Sequence, residues 1–158
     1  MNWLEVCNDP CLQDLPYKIE LNRDGDIVMS PVRVRHSVYV RRIQVLLEKL
    51  LLHGICPPEF PVMTVDNVKS PDVVWISDEL FEQVKEEEAS PVAPEICIEV
   101  KSPSNSWTKM LNKAALYFEK GAKEVWICDE QGNMSFFDPE DKLPTSRMVP
   151  DCPQYIEY

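Results

Sequence analysis

Glu99 and Lys101 lie two residues apart in the run Pro94-Glu95-Ile96-Cys97-Ile98-Glu99-Val100-Lys101-Ser102-Pro103. Read as a strand, this run alternates its side chains. Cys97, Glu99 and Lys101 then share one face while Ile96, Ile98 and Val100 share the other. A carboxylate and an ammonium would stand about 7 Å apart on that face. The pairing suits a metal ligand beside a cation that activates water. If the preceding apolar run Asp72-Val73-Val74-Trp75-Ile76 pairs alongside, Asp72 at its entry approaches Glu99. Two carboxylates and the Val100 carbonyl make an oxygen-rich set of the kind Mg²⁺ or Mn²⁺ takes, with water completing the shell. Such an ion lowers the pKa of bound water and neutralises charge developing on a phosphate. Lys101 would hold the attacking water or stabilise the transition state. The chemistry implied is metal-assisted hydrolysis of a phosphodiester. The plain alternative is a salt-bridged strand, because a Glu-x-Lys triplet is common and an exposed ion pair is weak.

The elements that must position these residues follow from the pattern. Residues 1–16 read as an irregular lead-in. Tyr17 to Leu21 and Asp26 to Ser30 read as a hairpin turned by Asn22-Arg23-Asp24-Gly25. A helix is predicted from Val34 to His53, with Tyr39, Ile43, Leu46, Leu47, Leu50 and Leu51 on its apolar face and Gly54 as its left-handed stop. His36 falls near its start and reads as a core or helix-start histidine. Phe60 to Val65 is a predicted strand and Asn67 to Ser70 a turn. The strand at 72–76 is followed by an acidic connection, and the strand at 95–101 is broken by Ser102-Pro103. Asn105 or Ser106 caps a helix from Trp107 to Lys120, with Trp107, Leu111, Ala114, Ala115 and Phe118 inward. Glu124 to Asp129 reads as a buried strand, with Asp129 a turn-former before Met134 to Phe137. The order predicts an α/β layer with a mixed sheet, and the strand–helix–strand unit at 95–129 has the form of a parallel crossover. Residues 17–138 form the domain, and 139–158 an irregular tail of the same domain.

At 158 residues the chain is long enough for one domain with a substantial core. No apolar run approaches the roughly 20 residues that span a bilayer, and Met1-Asn2-Trp3-Leu4-Glu5 lacks a signal-peptide pattern, so a cytoplasmic location with no membrane partner is expected. The six cysteines give no disulfide framework. The net charge of −11 opposes nonspecific attraction to nucleic acid. The charge is uneven, however. Arg33, Arg35, Arg41 and Arg42 fall in a stretch without acids, while 78–88 is strongly acidic and reads as a solvated loop or short helix.

The segments Pro71-Asp72-Val73-Val74-Trp75-Ile76, Pro94 to Ser104, Lys113 to Tyr117 and Gly121 to Asp129 together resemble the Uma two family. Its members are restriction-endonuclease-like proteins of the PD-(D/E)xK nuclease superfamily. The likeness extends upstream to Glu20, Gly25 to Pro31 and His36, and so covers residues 17–138. It implies a restriction-endonuclease-like core, with a central mixed sheet flanked by helices and an N-terminal hairpin. It also implies Asp72 and Glu99 as ligands of Mg²⁺ or Mn²⁺, Lys101 as the catalytic lysine, and Glu20 as a supporting carboxylate. Many members have an apolar residue where Lys101 stands and draw a lysine from the following helix, at the position of Lys113. This chain has both, and their division of labour stays open. The function implied is a metal-dependent endonuclease, with DNA as substrate and a homodimer as the working form. The rivals are a nuclease fold kept as an interaction module, and hydrolysis of RNA or a small phosphoester.

Overall fold

A computed structural model describes residues 1–158. The two near-continuous apolar runs, 96–100 and 124–128, become strands β6 (Ile96–Val100) and β7 (Glu124–Cys128), every residue of both being buried. They pair in parallel, Ile96 opposite Glu124 and Val100 opposite Cys128. Parallel neighbours require a covering crossover, supplied here by helix α4 (Trp107–Glu119). Strand β5 (Val73–Trp75) pairs antiparallel to β6, while β8 (Met134–Phe137) and β9 (Lys142–Leu143) extend the far edge. The result is a five-stranded mixed sheet in the order β5-β6-β7-β8-β9.

Alternation along β6 sorts the core into two layers. Ile96, Ile98 and Val100 join Tyr39, Ile43 and Leu47 of helix α2 (Val34–Leu50) on one face. Cys97 joins Ala114 and Tyr117 of α4 on the other. Two short ribbons complete the fold: β1 (Tyr17–Leu21) with β2 (Ile27–Pro31), and β3 (Val62–Thr64) with β4 (Asn67–Lys69). The first packs on the second, with the Lys69 ammonium donating to the Leu21 carbonyl at 2.6 Å.

Several expectations need correction. The lead-in is not irregular, because Asn2 and Glu5 form a capping box that starts helix α1 (Trp3–Asn8). Asn67 to Lys69 is a strand, with Asn67 at a positive φ of 63° turning the chain out of β3. Helix α2 stops at Leu50. Gly54 serves a different purpose, since a Cβ there would lie 2.6 Å from the Ile76 carbonyl and the Trp75 indole. The inward stripe of α4 is Met110, Lys113, Ala114 and Tyr117, whereas Trp107 and Leu111 are exposed. That rotation follows from ion pairing: the buried face of α4 includes a lysine whose charge is satisfied by carboxylates beneath it. The acidic stretch supplies a seven-residue helix, α3 (Asp78–Val84), capped by Ser77. The tail carries Val149, Cys152 and Ile156 into the core. No helix is long and apolar enough to cross a membrane.

Candidate active site

β5 and β6 pair with Val73 opposite Ile98, so the residue before β5 comes alongside the last residues of β6. Asp72 therefore reaches the end of β6, where its Oδ2 accepts the Val100 N–H at 2.7 Å. Glu99 points to the α4 face. Its Oε1 accepts the Tyr117 hydroxyl at 2.6 Å and lies 3.4 Å from Lys113 Nζ. Lys113 and Tyr117, one helical turn apart, thus grip the same oxygen. Lys113 Nζ also donates to Glu20 Oε1 at 2.8 Å, and that oxygen accepts the Ser70 N–H at 2.9 Å. Strand β1 delivers Glu20 together with Lys18, which lies two residues earlier on the same face. Lys18 Nζ donates to Asp72 Oδ1 at 2.9 Å and lies 3.8 Å from Glu99 and 3.7 Å from Glu20. His36 Nε2, from the first turn of α2, stands 3.2 Å from Asp72 Oδ2.

Three carboxylates and two lysines are thus gathered on the floor of a cavity of about 170 Å³. Glu99, Asp72, Glu20 and Lys113 are 2%, 3%, 6% and 9% exposed, so their charges survive only because they pair with one another. No buried side-chain nitrogen or oxygen lacks a partner. The environments push the carboxyls in different directions. Burial opposes charge on Asp72, but Lys18, then His36 and Lys113, outweigh it and hold the carboxyl well below the ordinary range. Glu20 is also lowered: Lys113 and then Lys18 overcome its burial. Glu99 goes the other way. Burial, reinforced by Asp72 and Glu20, exceeds the pull of Lys113 and Lys18 and raises its pKa. Burial and the adjacent Glu99 push the Tyr117 phenol up, which keeps it a hydrogen-bond donor.

Of the residues singled out from the sequence, Asp72, Glu99, Glu20 and Lys113 come together. Lys101 does not join them. The β-ladder ends at Val100, and beyond it the alternation no longer governs direction. The Lys101 ammonium is held by Glu130, at the β7–β8 turn, at 2.5 Å. Val100 lines the same cavity, and its N–H donates to Asp72. Asp129 forms its turn as expected, its Oδ1 accepting the Gln131 and Asn133 N–H groups at 2.9 Å. The sequence reading missed Lys18 and Tyr117. Strand alternation from Glu20 would have found the first, and helical spacing from Lys113 the second.

No three His, Cys, Asp or Glu side chains form a ready metal cage. The donor set nevertheless suits a hard cation. Asp72 and Glu99 offer only oxygen, and Mg²⁺ is commonly held by one or two carboxylates with water and substrate supplying the rest. These carboxylates already surround a cation, the Lys18 ammonium. The walls of the cavity are basic. Arg33, Arg41 and Lys109 line it, and nothing from the acidic stretch 78–88 does.

The family described as "Putative restriction endonuclease", Uma2, matches residues 9–148. A solved structure from Anabaena variabilis, described as "a putative nuclease belonging to DUF820", has the same fold. Its TM-score is 0.75 at 16% identity, covering 96% of this chain and 93% of that one. No curated protein matches the chain in sequence. The matched span takes in the hairpin with Glu20, the Asp72 and Glu99 strands and the Lys113 helix, and the chain belongs to the Uma2 family.

Proposed function

We propose that the chain is a divalent-metal-dependent nuclease that hydrolyses phosphodiester bonds, with DNA as its substrate, at the Asp72–Glu99–Lys113 cleft. One observation carries the reading. Two buried carboxylates from adjacent strands face one cavity with a lysine 3.4 Å from one of them, under a rim of Arg33, Arg41 and Lys109.

Mg²⁺ or Mn²⁺ held by Asp72 and Glu99 would supply Lewis acidity at the scissile phosphate and make a nearby water more acidic. The protein's own groups do the rest. The Val100 N–H and His36 fix the Asp72 carboxylate in orientation, while Tyr117 and Lys113 fix Glu99. Glu20, tied to the Ser70 N–H, holds Lys113 so that its ammonium faces the cleft, where it orients the attacking water and stabilises charge developing on phosphate oxygens. Lys113 takes this role over Lys101, whose ammonium is engaged by Glu130. Arg33, Arg41 and Lys109 hold flanking phosphates, so the local field at the cleft opposes the overall charge of −11. The working form is a homodimer, which sedimentation at micromolar concentration tests.

The direct experiment incubates supercoiled plasmid, short DNA duplexes and RNA with the protein in Mg²⁺, in Mn²⁺ and in chelator. Metal-dependent cleavage of DNA is expected, lost in Asp72→Ala and Lys113→Met proteins that remain folded. Cleavage that survives both substitutions would overturn the assignment. The rival reading, a nuclease fold kept as an interaction module, draws on the net charge of −11 and the acidic stretch 78–88. Calorimetric titration with Mg²⁺ separates the two: heat that vanishes in Glu99→Ala favours the nuclease, and no heat favours the module.

A further inference from the structure

Among the five cations lining the cleft, Lys18 alone pairs with all three carboxylates, Asp72, Glu99 and Glu20. Lys113 touches Glu20 and Glu99 but not Asp72, and it comes from the opposite side, on α4. The Lys18 ammonium is thus placed where the two candidate metal-binding carboxylates converge, 2.9 Å from one and 3.8 Å from the other. It is also almost fully enclosed, its side chain being 10% exposed.

We propose that Lys18 is a tethered counterion of the metal site: it fills the cation position between Asp72 and Glu99, and a divalent ion binds only by displacing it. The inference rests on the metal-dependent reading above and adds a competition to it.

The physical case has three parts. First, with all groups ionised, three carboxylates face two ammonium groups, so without Lys18 two negative charges would stand buried and uncompensated. An unpaired buried charge is strongly destabilising, and a lysine from β1 removes that cost without a metal. Secondly, an ammonium and a divalent ion cannot share the same carboxylate oxygens at contact distance, because like charges repel and each oxygen has few lone pairs to offer. Thirdly, Lys18 is able to leave. It lies on the two-stranded β1–β2 ribbon outside the main sheet, on a flexible four-carbon stem, and lines the cleft. Lys113 comes instead from α4, which packs on the main sheet, and sits between Glu20 and Glu99.

The test measures metal binding directly. Free Mn²⁺ is followed by electron paramagnetic resonance during titration of the full-length wild type, Lys18→Met and Asp72→Asn, and each protein is melted in chelator and in Mn²⁺. Lys18→Met should bind Mn²⁺ about ten- to a hundredfold more tightly than wild type, within the range usual for a coupling between two linked binding events. It should also melt lower in chelator and gain more from Mn²⁺. Equal or weaker binding by folded Lys18→Met, with wild type binding and Asp72→Asn not, overturns the counterion while leaving the metal site standing. No binding by wild type or Lys18→Met overturns both. A measurement on the wild type covers a Lys18→Met protein that fails to fold. The Lys18 ammonium resonance, observed by nitrogen-15 NMR, should shift on Mg²⁺ addition with the affinity found by calorimetry. A resonance unmoved at saturating Mg²⁺ overturns the proposal.

Discussion

Replacing Lys113 by Met and, separately, Lys101 by Met should divide the two lysines cleanly. Lys113 is 9% exposed and pairs with Glu20 at 2.8 Å and Glu99 at 3.4 Å. Methionine keeps the length and apolar bulk but leaves both carboxylates short of a partner. Breaking a buried pair from one side costs about 3–5 kcal/mol. Lys18 remains 3.7 Å from Glu20 and 3.8 Å from Glu99, which favours the lower end of that range. At about 2–4 °C per kcal/mol for a chain of this size, Tm should fall by roughly 6–12 °C. The Lys101 pair is different. Glu130 is 24% exposed on a turn, so Lys101→Met should cost about 1 kcal/mol or less. Activity should separate them further. Removing a group that stabilises charge at the reacting centre costs about 10²–10³ in rate, whereas Lys101→Met should stay within a fewfold of wild type. The assay is plasmid nicking in Mg²⁺, run well below the lower Tm, beside thermal melts followed by circular dichroism. Lys113→Met cutting normally while Lys101→Met is dead would refute the reasoning.

The remaining expectations use the same geometry. Asp72 and Glu99 should respond oppositely to pH. Asp72 has its folded-state pKa depressed, so its stabilisation is present above its unfolded value of about 3.9 and is lost as pH falls toward the folded value. Glu99 has its folded-state pKa raised, so the native state binds the proton more tightly, and stability drains away as pH climbs from about 4.3 through the folded value. In chelator at pH 8, Asp72→Asn should therefore lower Tm and Glu99→Gln raise it or leave it unchanged; the reverse order in a thermal-shift series from pH 5 to 8 would contradict this. Among the cysteines, Cys11 is exposed and Cys7 half-buried, whereas burial lifts Cys56 to about 11 and Cys128 and Cys152 to about 12. An aromatic disulfide reagent at pH 8 should label Cys11 first and Cys7 more slowly, with the other four reacting only after unfolding. Glu124→Ala should free the C-terminal segment. This carboxylate accepts from Trp126 Nε1, Ser146 Oγ and the N–H groups of Arg147 and Met148 at 2.6–2.9 Å. Its loss orphans buried donors at about 1–3 kcal/mol each, and limited proteolysis should then cut between 144 and 158 in the variant but not in wild type.

The parts of the site that were legible in the sequence are those set by short-range periodicity. Ile96, Ile98 and Val100 opposite Cys97 and Glu99 follow from strand alternation, and the layers separate along that division. Asp72 beside Glu99 needed only the pairing of neighbouring strands. Periodicity misled where a ladder ends or where charge replaces apolarity. Lys101 follows its neighbour across the sheet to Glu130, because the two strands leave the ladder at the same level. In α4 the buried stripe includes Lys113 and Tyr117, which read as polar until their carboxylate partners from β1 and β6 are in place. The tail has no period because its order comes from Glu124, some twenty residues back, and such a contact leaves no local pattern. Helix α1 was readable: Asn2-x-x-Glu5 is a capping box at the start of the chain.

The most direct test of the central claim is a crystal of the wild type soaked in Mn²⁺, with anomalous differences recorded at a wavelength sensitive to manganese. One strong peak should appear within bonding distance of Asp72 and Glu99, with the Lys18 ammonium withdrawn from between them and Lys113 still on Glu20. A map with no peak there, while Lys18 still bridges the carboxylates at saturating Mn²⁺, would contradict it.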